Sequence, residues 1–253
     1  MSTRSSVVLR SVAVAAVFLT GAVPALANDL TVAQEFFGDR PGPGTAVDGA
    51  ALMSHNSFLS GMSASSSFGF EASFPTPVTT FTMNNPDLTT NRVDITGNQG
   101  VNARIGDSVS ATNGRFNTTS GGTRWLDIVA TTVSFSFEDP FAAIGIYLTD
   151  IGDFESLVTL SLRNSVTGAE TTFDLTSRLS LGERNQNLVF WGYSDPTGAS
   201  YNRLTINTVR SQDDRFGIDD ITLGVPTVGA VPVPATLGLA LAALGLLALR
   251  RRT

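Results

Sequence analysis

From Arg124 onward apolar side chains recur at every second position, and this alternation limits the chain to few folds. Val133, Phe135 and Phe137 alternate with serine and threonine, Pro140 breaks the run, and Ala142, Ile144, Ile146 and Leu148 resume it. Further strands are predicted at Leu188 to Tyr193, Arg203 to Val209 and Phe216 to Leu223. Gly, Pro, Asn and Asp separate these runs, with no convincing long helix among them. The pattern predicts an all-β fold, a β-sandwich with jelly-roll-like topology.

One hairpin can be read residue by residue. With Thr167-Gly168 as a two-residue turn, Val166 faces Ala169, Leu162 faces Phe173 and Leu160 faces Leu175, giving one apolar face. The first part of the chain, to about Ser120, is rich in Ser, Thr, Asn and Gly and is less sharply patterned. There Phe68, Phe70, Ala72 and Phe74 alternate with Ser67, Gly69, Glu71 and Ser73, predicting a half-buried strand ended by Pro75 and Pro77. A second strand is expected over Val78 to Met83, before a turn at Asn84-Asn85-Pro86.

Both ends read as sorting segments. Arg4 and Arg10, an apolar run from Val12 to Leu19, and the small-residue site Ala25-Leu26-Ala27 form a signal peptide over residues 1–27, with Asn28 starting the mature chain. Residues 226–253 hold Val231-Pro232-Val233-Pro234-Ala235, an apolar run, and Arg250, Arg251 and Arg252. Proline cannot sit inside a helix, so a helix here starts near Ala235. The fifteen residues to Leu249 span about 22 Å against a hydrocarbon core of about 30 Å, which is short for a permanent anchor. The arginines predict a cytoplasmic C-terminus, with everything before Pro232 outside.

This order of proline motif, short apolar helix and terminal arginines resembles the PEP-CTERM sorting signal of Gram-negative bacteria, in its Val-Pro-x-Pro-Ala variant, since Val233 stands where glutamate is usual. The resemblance implies export, transient inner-membrane anchoring, cleavage by an exosortase, and release to the cell surface or extracellular matrix. Residues 28–225 are then the passenger.

All 22 acidic residues lie in the passenger, against 11 of the 16 arginines, so its net charge is −11. Such a charge repels phosphate backbones and disfavours nucleic acid, while divalent cations become plausible partners. The chain has neither cysteine nor lysine, which excludes disulfides, thiolate metal sites and two kinds of nucleophile. Its one histidine, His55, sits in a serine-rich stretch and reads as a surface residue. No catalytic residue is assigned, and the expected function is a non-enzymatic surface or matrix protein that binds polysaccharide. The competing reading is a secreted glycan hydrolase with a carboxylate pair.

Two candidate sites follow from residue type. Asp150 and Asp153 end one strand while Asp219 and Asp220 stand in the last, beside Asp213 and Asp214, and calcium favours several carboxylates gathered by irregular backbone. Turn and loop roles explain the same aspartates equally well. The strand Ile218 to Leu223 also resembles the closing strand of several carbohydrate-binding and adhesion-type jelly rolls, which implies that Asp219 or Asp220 pins the chain through a structural calcium or hydrogen bonds. Trp191 and Tyr193 share one face of their strand and supply flat rings for stacking on sugars, unless that face is the core.

Overall fold

A computed structural model describes residues 32–40, 47–97, 102–107, 114–152, 157–179, 186–209 and 215–228. The signal peptide, the proline motif and the arginine cluster lie outside these residues.

Thirteen strands and one helix are described: β1 (Gln34–Arg40), α1 (Gly49–Ser60), β2 (Met62–Phe68), β3 (Thr80–Asn84), β4 (Thr90–Gly97), β5 (Asn102–Asp107), β6 (Arg124–Val129), β7 (Thr132–Phe141), β8 (Ala143–Thr149), β9 (Leu157–Asn164), β10 (Glu170–Asp174), β11 (Leu188–Ser194), β12 (Tyr201–Val209) and β13 (Arg215–Pro226). They form a β-sandwich of two antiparallel sheets. Sheet A runs β1-β11-β8-β13-β6-β5, and sheet B runs β10-β9-β12-β7-β4-β3. The edge of β13 opposite β8 is shared, Arg215–Ile218 pairing with β6 and Ile221–Pro226 with β2.

The alternation read from the sequence fills the space between the sheets. Val133, Phe135 and Phe137 of sheet B share one core with Ile144, Ile146 and Leu148 of sheet A. Burying such side chains stabilises a fold by roughly 1.5–3 kcal/mol each, which commits each strand to one register. Pro140 stands near the end of β7 without dividing it, and β8 begins three residues later.

Three expectations are corrected. The β9–β10 hairpin pairs Phe173 with Leu160 and Thr171 with Leu162, two residues away from the predicted register. Asn164 is the reason: its side-chain oxygen accepts from the Val166 and Thr167 amides at 2.9 Å each, opening a wider loop. Because the slip is even, Phe173 keeps its face and packs on the core. The strand expected over Phe68 to Phe74 ends at Phe68, and Phe70 takes a φ of 55°. These phenylalanines instead form a cluster with Phe81, with Phe68 stacked on Phe81 at 4.9 Å.

The third correction is α1. Its inner side carries Ala51, Ser54, His55 and Phe58, while Leu52 and Met53 face solvent, so the apolar period of a helix is masked. Phe58 enters a notch between the paired glycines Gly145 and Gly192, where added Cβ atoms would lie 3.0 Å from its ring. With Phe116, Tyr147, Leu188 and Phe190 it forms a second, smaller core on the outer face of sheet A. Among the described residues no helix is long and apolar enough to cross a membrane.

Candidate functional site

The paired aspartates sit on a β-bulge. Asp219 faces Tyr147 but Thr222 faces Gly145, so β13 carries one extra residue between them, and Asp220 absorbs it with a φ of 46°. The side chains of Asp219 and Asp220 consequently meet the same segment, Thr118-Thr119. Asp219 Oδ2 accepts the Thr118 amide at 2.6 Å and the Thr119 amide at 3.1 Å, with Asn117 Nδ2 at 3.2 Å. Asp220 accepts from the Thr119 hydroxyl at 2.7 Å and the Thr118 hydroxyl at 3.0 Å. Burial, then the neighbouring Asp220 carboxylate, raise the Asp219 pKa well above its ordinary value, although the amides oppose this. The arrangement pins an otherwise irregular segment to the central strand by hydrogen bonds.

Asp150 is engaged elsewhere. Its carboxylate accepts Arg115 Nη1 at 2.9 Å and the Gln186 amide at 2.8 Å, and Arg115 Nε lies 3.2 Å from Asp127. Arg104 Nε and Arg215 Nη1 also reach Asp127 Oδ2, at 2.9 Å and 3.2 Å. Asp150 stands three residues beyond Tyr147, the partner of Asp219, about 10 Å along the strand. Asp153, Asp213 and Asp214 lie outside the described residues. Among the described residues no three His, Cys, Asp or Glu side chains gather as ligands would, and N–H donors occupy Asp150 and Asp219 where a cation would bind.

The stacking expectation is corrected. Trp191 is fully buried and Tyr193 is 8% exposed, both in the core between the sheets. The Trp191 indole donates to Glu35 at 2.9 Å, and Phe173 packs against both rings at 5.2–5.3 Å. Neither ring offers a face to a ligand. His55 is corrected too: it lies half-buried on α1, 5.1 Å from the Tyr147 ring and 4.9 Å from Phe190. Burial lowers its pKa against the opposing pull of Asp220, and its Nε2 has no hydrogen-bond partner among the described residues. It is walled in by apolar rings rather than placed as a base. The processing residues Ala25, Ala27, Asn28, Val231 to Ala235 and Arg250 to Arg252 lie outside the described residues.

The feature that sequence reasoning missed is an open groove of about 650 Å³ at one end of the sandwich. Its walls are the β3–β4 turn (Asn85, Pro86, Asp87, Thr89), the end of β7 with Ala142, the residues before β12 (Gly198 to Ser200), and Leu223 to Val225 of β13. Asn91, fully buried, sets this geometry. Its Nδ2 donates to Asn85 Oδ1 at 2.9 Å and to the Asp139 carbonyl at 3.0 Å, while its Oδ1 accepts the Asp139 amide at 3.1 Å. Asn85 Nδ2 in turn donates to Asp139 Oδ2 at 3.0 Å. Asp87 turns back on its own loop, accepting the Thr89 amide at 3.0 Å and hydroxyl at 2.5 Å, and these bonds lower its pKa. One signal in the sequence points here: Asn91 stands where the alternation with Val93 and Ile95 calls for an apolar residue.

The chain matches no protein-family model and no curated protein. Among solved structures it aligns with a family 11 carbohydrate-binding module from Clostridium thermocellum in complex with a β-1,3-1,4-mixed-linked tetrasaccharide, at 9% identity and a TM-score of 0.29, over 64% of this chain and 96% of that one. The carbohydrate-binding and family 10 modules of a C. thermocellum xylanase complexed with xylohexaose align at 16% identity and a TM-score of 0.30, over 56% of this chain and 28% of that one. A DUF4465 family protein from Bacteroides ovatus aligns at 8% identity and a TM-score of 0.23, over 76% and 98%. Likeness at this level carries no assignment of site or activity.

Proposed function

We propose that this chain is an exported, exosortase-processed, non-enzymatic component of the cell surface or extracellular matrix of a Gram-negative bacterium, and that its sandwich binds polysaccharide. The observation that carries the binding reading is the groove. It is open, so a polymer can lie along it, and its lining mixes two carboxylates, an amide and hydroxyls with the apolar surfaces of Pro86, Pro140, Ala199 and Leu223. A pyranose ring has the same division, hydroxyls at its edge and C–H groups on its faces, and such mixed sites fix orientation through few polar groups. Export is supported by the residues of the signal peptide and the Val231-to-Arg252 signal, whose jelly-roll-like passenger is released once they are removed.

Hydrolysis is less well supported. A glycosidase needs one carboxyl kept protonated as a general acid, whereas the Thr89 donors push Asp87 towards the charged form. The test is a glycan array probed with the mature protein in EDTA and in millimolar calcium. Binding that is the same in both and lost when Ala199→Arg fills the groove is the expected result. An array with no bound glycan, or binding indifferent to Ala199→Arg, would remove the groove from the reading.

A further inference from the structure

Resting on the groove as the binding site, we infer that it selects glycans bearing free amino groups, a de-N-acetylated hexosamine polymer, over neutral or N-acylated ones. The charged residues lining the groove are Asp87 and Asp139, and none of its lining residues is basic. Each carboxylate is held through one oxygen, Asp87 Oδ1 by Thr89 of the same turn and Asp139 Oδ2 of β7 by Asn85 of that turn, which leaves the second oxygen of each for a ligand. Both are thus fixed acceptors that need no rearrangement to meet a cation. The hydrogen bonds on Asp87 keep it ionised into the acidic range where a sugar amine is fully protonated. The passenger's net charge of −11 adds a long-range field of the same sign, which attracts polycations and repels uronate or sulfate polymers.

De-N-acetylation changes the charge and also removes the acetyl group, so the salt dependence and a variant without the carboxylates are what isolate charge. Surface ion pairs are individually weak, and two of them give about a tenfold preference at low ionic strength. The experiment is calorimetric titration of the mature protein with glucosamine hexamer and with N-acetylglucosamine hexamer, at about 50 mM and about 500 mM salt. The expected result is about tenfold tighter binding of the amine form at low salt, a preference that collapses at high salt. The double variant Asp87→Asn with Asp139→Asn keeps both loop hydrogen bonds in reach and should bind the two hexamers equally, with an unchanged thermal melt. Equal affinities in the wild type would overturn the amine preference and leave the groove reading standing. A preference that survives in the double variant would also overturn it, by locating the charge recognition elsewhere. Binding of neither hexamer, nor of any arrayed glycan, would sink the groove itself.

Discussion

The two outer faces of the sandwich have opposite characters. On sheet A, Phe190 and Tyr147 face away from the main core yet are buried, because α1 seats Phe58 between them and the Gly145–Gly192 notch. On sheet B the outward residues form a row across five strands, Thr96, Ser134, Thr205, Ser161 and Thr172, with no covering helix among the described residues. Ser134 and Thr205 hydroxyls lie 2.8 Å apart, as do those of Ser161 and Thr172. A sheet covered on both sides must be apolar on both, which makes its strands near-continuous apolar runs, whereas a half-covered sheet shows strict alternation. Leu188 to Tyr193 in sheet A and Thr132 to Phe137 in sheet B display these two patterns.

If the covered face carries the greater stability, its anchor should be the most costly to remove. Phe58→Ala empties the notch and is expected to cost about 3–5 kcal/mol in urea unfolding, against less than about 1 kcal/mol for Met53→Ala on the solvent side of the same helix. Equal losses would mean that α1 does not dock as described. Next in size is the bulge. Asp219→Ala leaves the Thr118 and Thr119 amides buried without an acceptor, at about 3 kcal/mol, while Asp219→Asn keeps an oxygen there and should cost less than half as much. Cleavage by a protease within residues 114–121 should accelerate in the alanine variant only.

The same comparison explains what could be read in advance. In sheet B, β7, β9, β10 and β12 are legible because their apolar residues alternate with polar ones, whereas β11 is legible as a short apolar run bounded by turn residues and β4 is not read at all. The bulge leaves a trace that the alternation alone passes over: Ile218 and Ile221 are both in the core although their spacing is odd, which one extra residue reconciles. The helix is not legible, since Ser54 bonds the Phe37 carbonyl and His55 packs on rings from the inner side, while leucine and methionine face water. Nor is the groove. It joins four segments far apart in the chain, and only the buried Asn91 marks it locally. Of the aspartates, Asp219 and Asp220 meet one segment while Asp150 is engaged elsewhere, and their partners, Arg115 and the Thr118-Thr119 amides, come from a weakly patterned stretch.

A pH titration sharpens the contrast further, because the covered face holds a titratable base with no counterpart on the hydroxyl row. His55 has its pKa lowered by burial, so the unfolded chain binds its proton more tightly than the folded one. Stability should therefore fall as the pH drops through about 6.5 towards the lowered native value, and His55→Gln should flatten that part of the curve. An identical curve for the variant would place the imidazole in solvent.

The smallest effect is expected on sheet B. Thr205 pairs with Ser134 on one side and Ser161 on the other, and its hydroxyl lies within 2.8 Å of Ser134 Oγ. Thr205→Val keeps the β-branched shape that suits a strand and removes one hydrogen bond whose partner can turn to water. The net loss should stay within about 0.5–1 kcal/mol in urea unfolding, with no change in cooperativity. A loss comparable to that of Phe58→Ala would show that the hydroxyl row is a buried and covered surface, and the distinction between the two faces would fall.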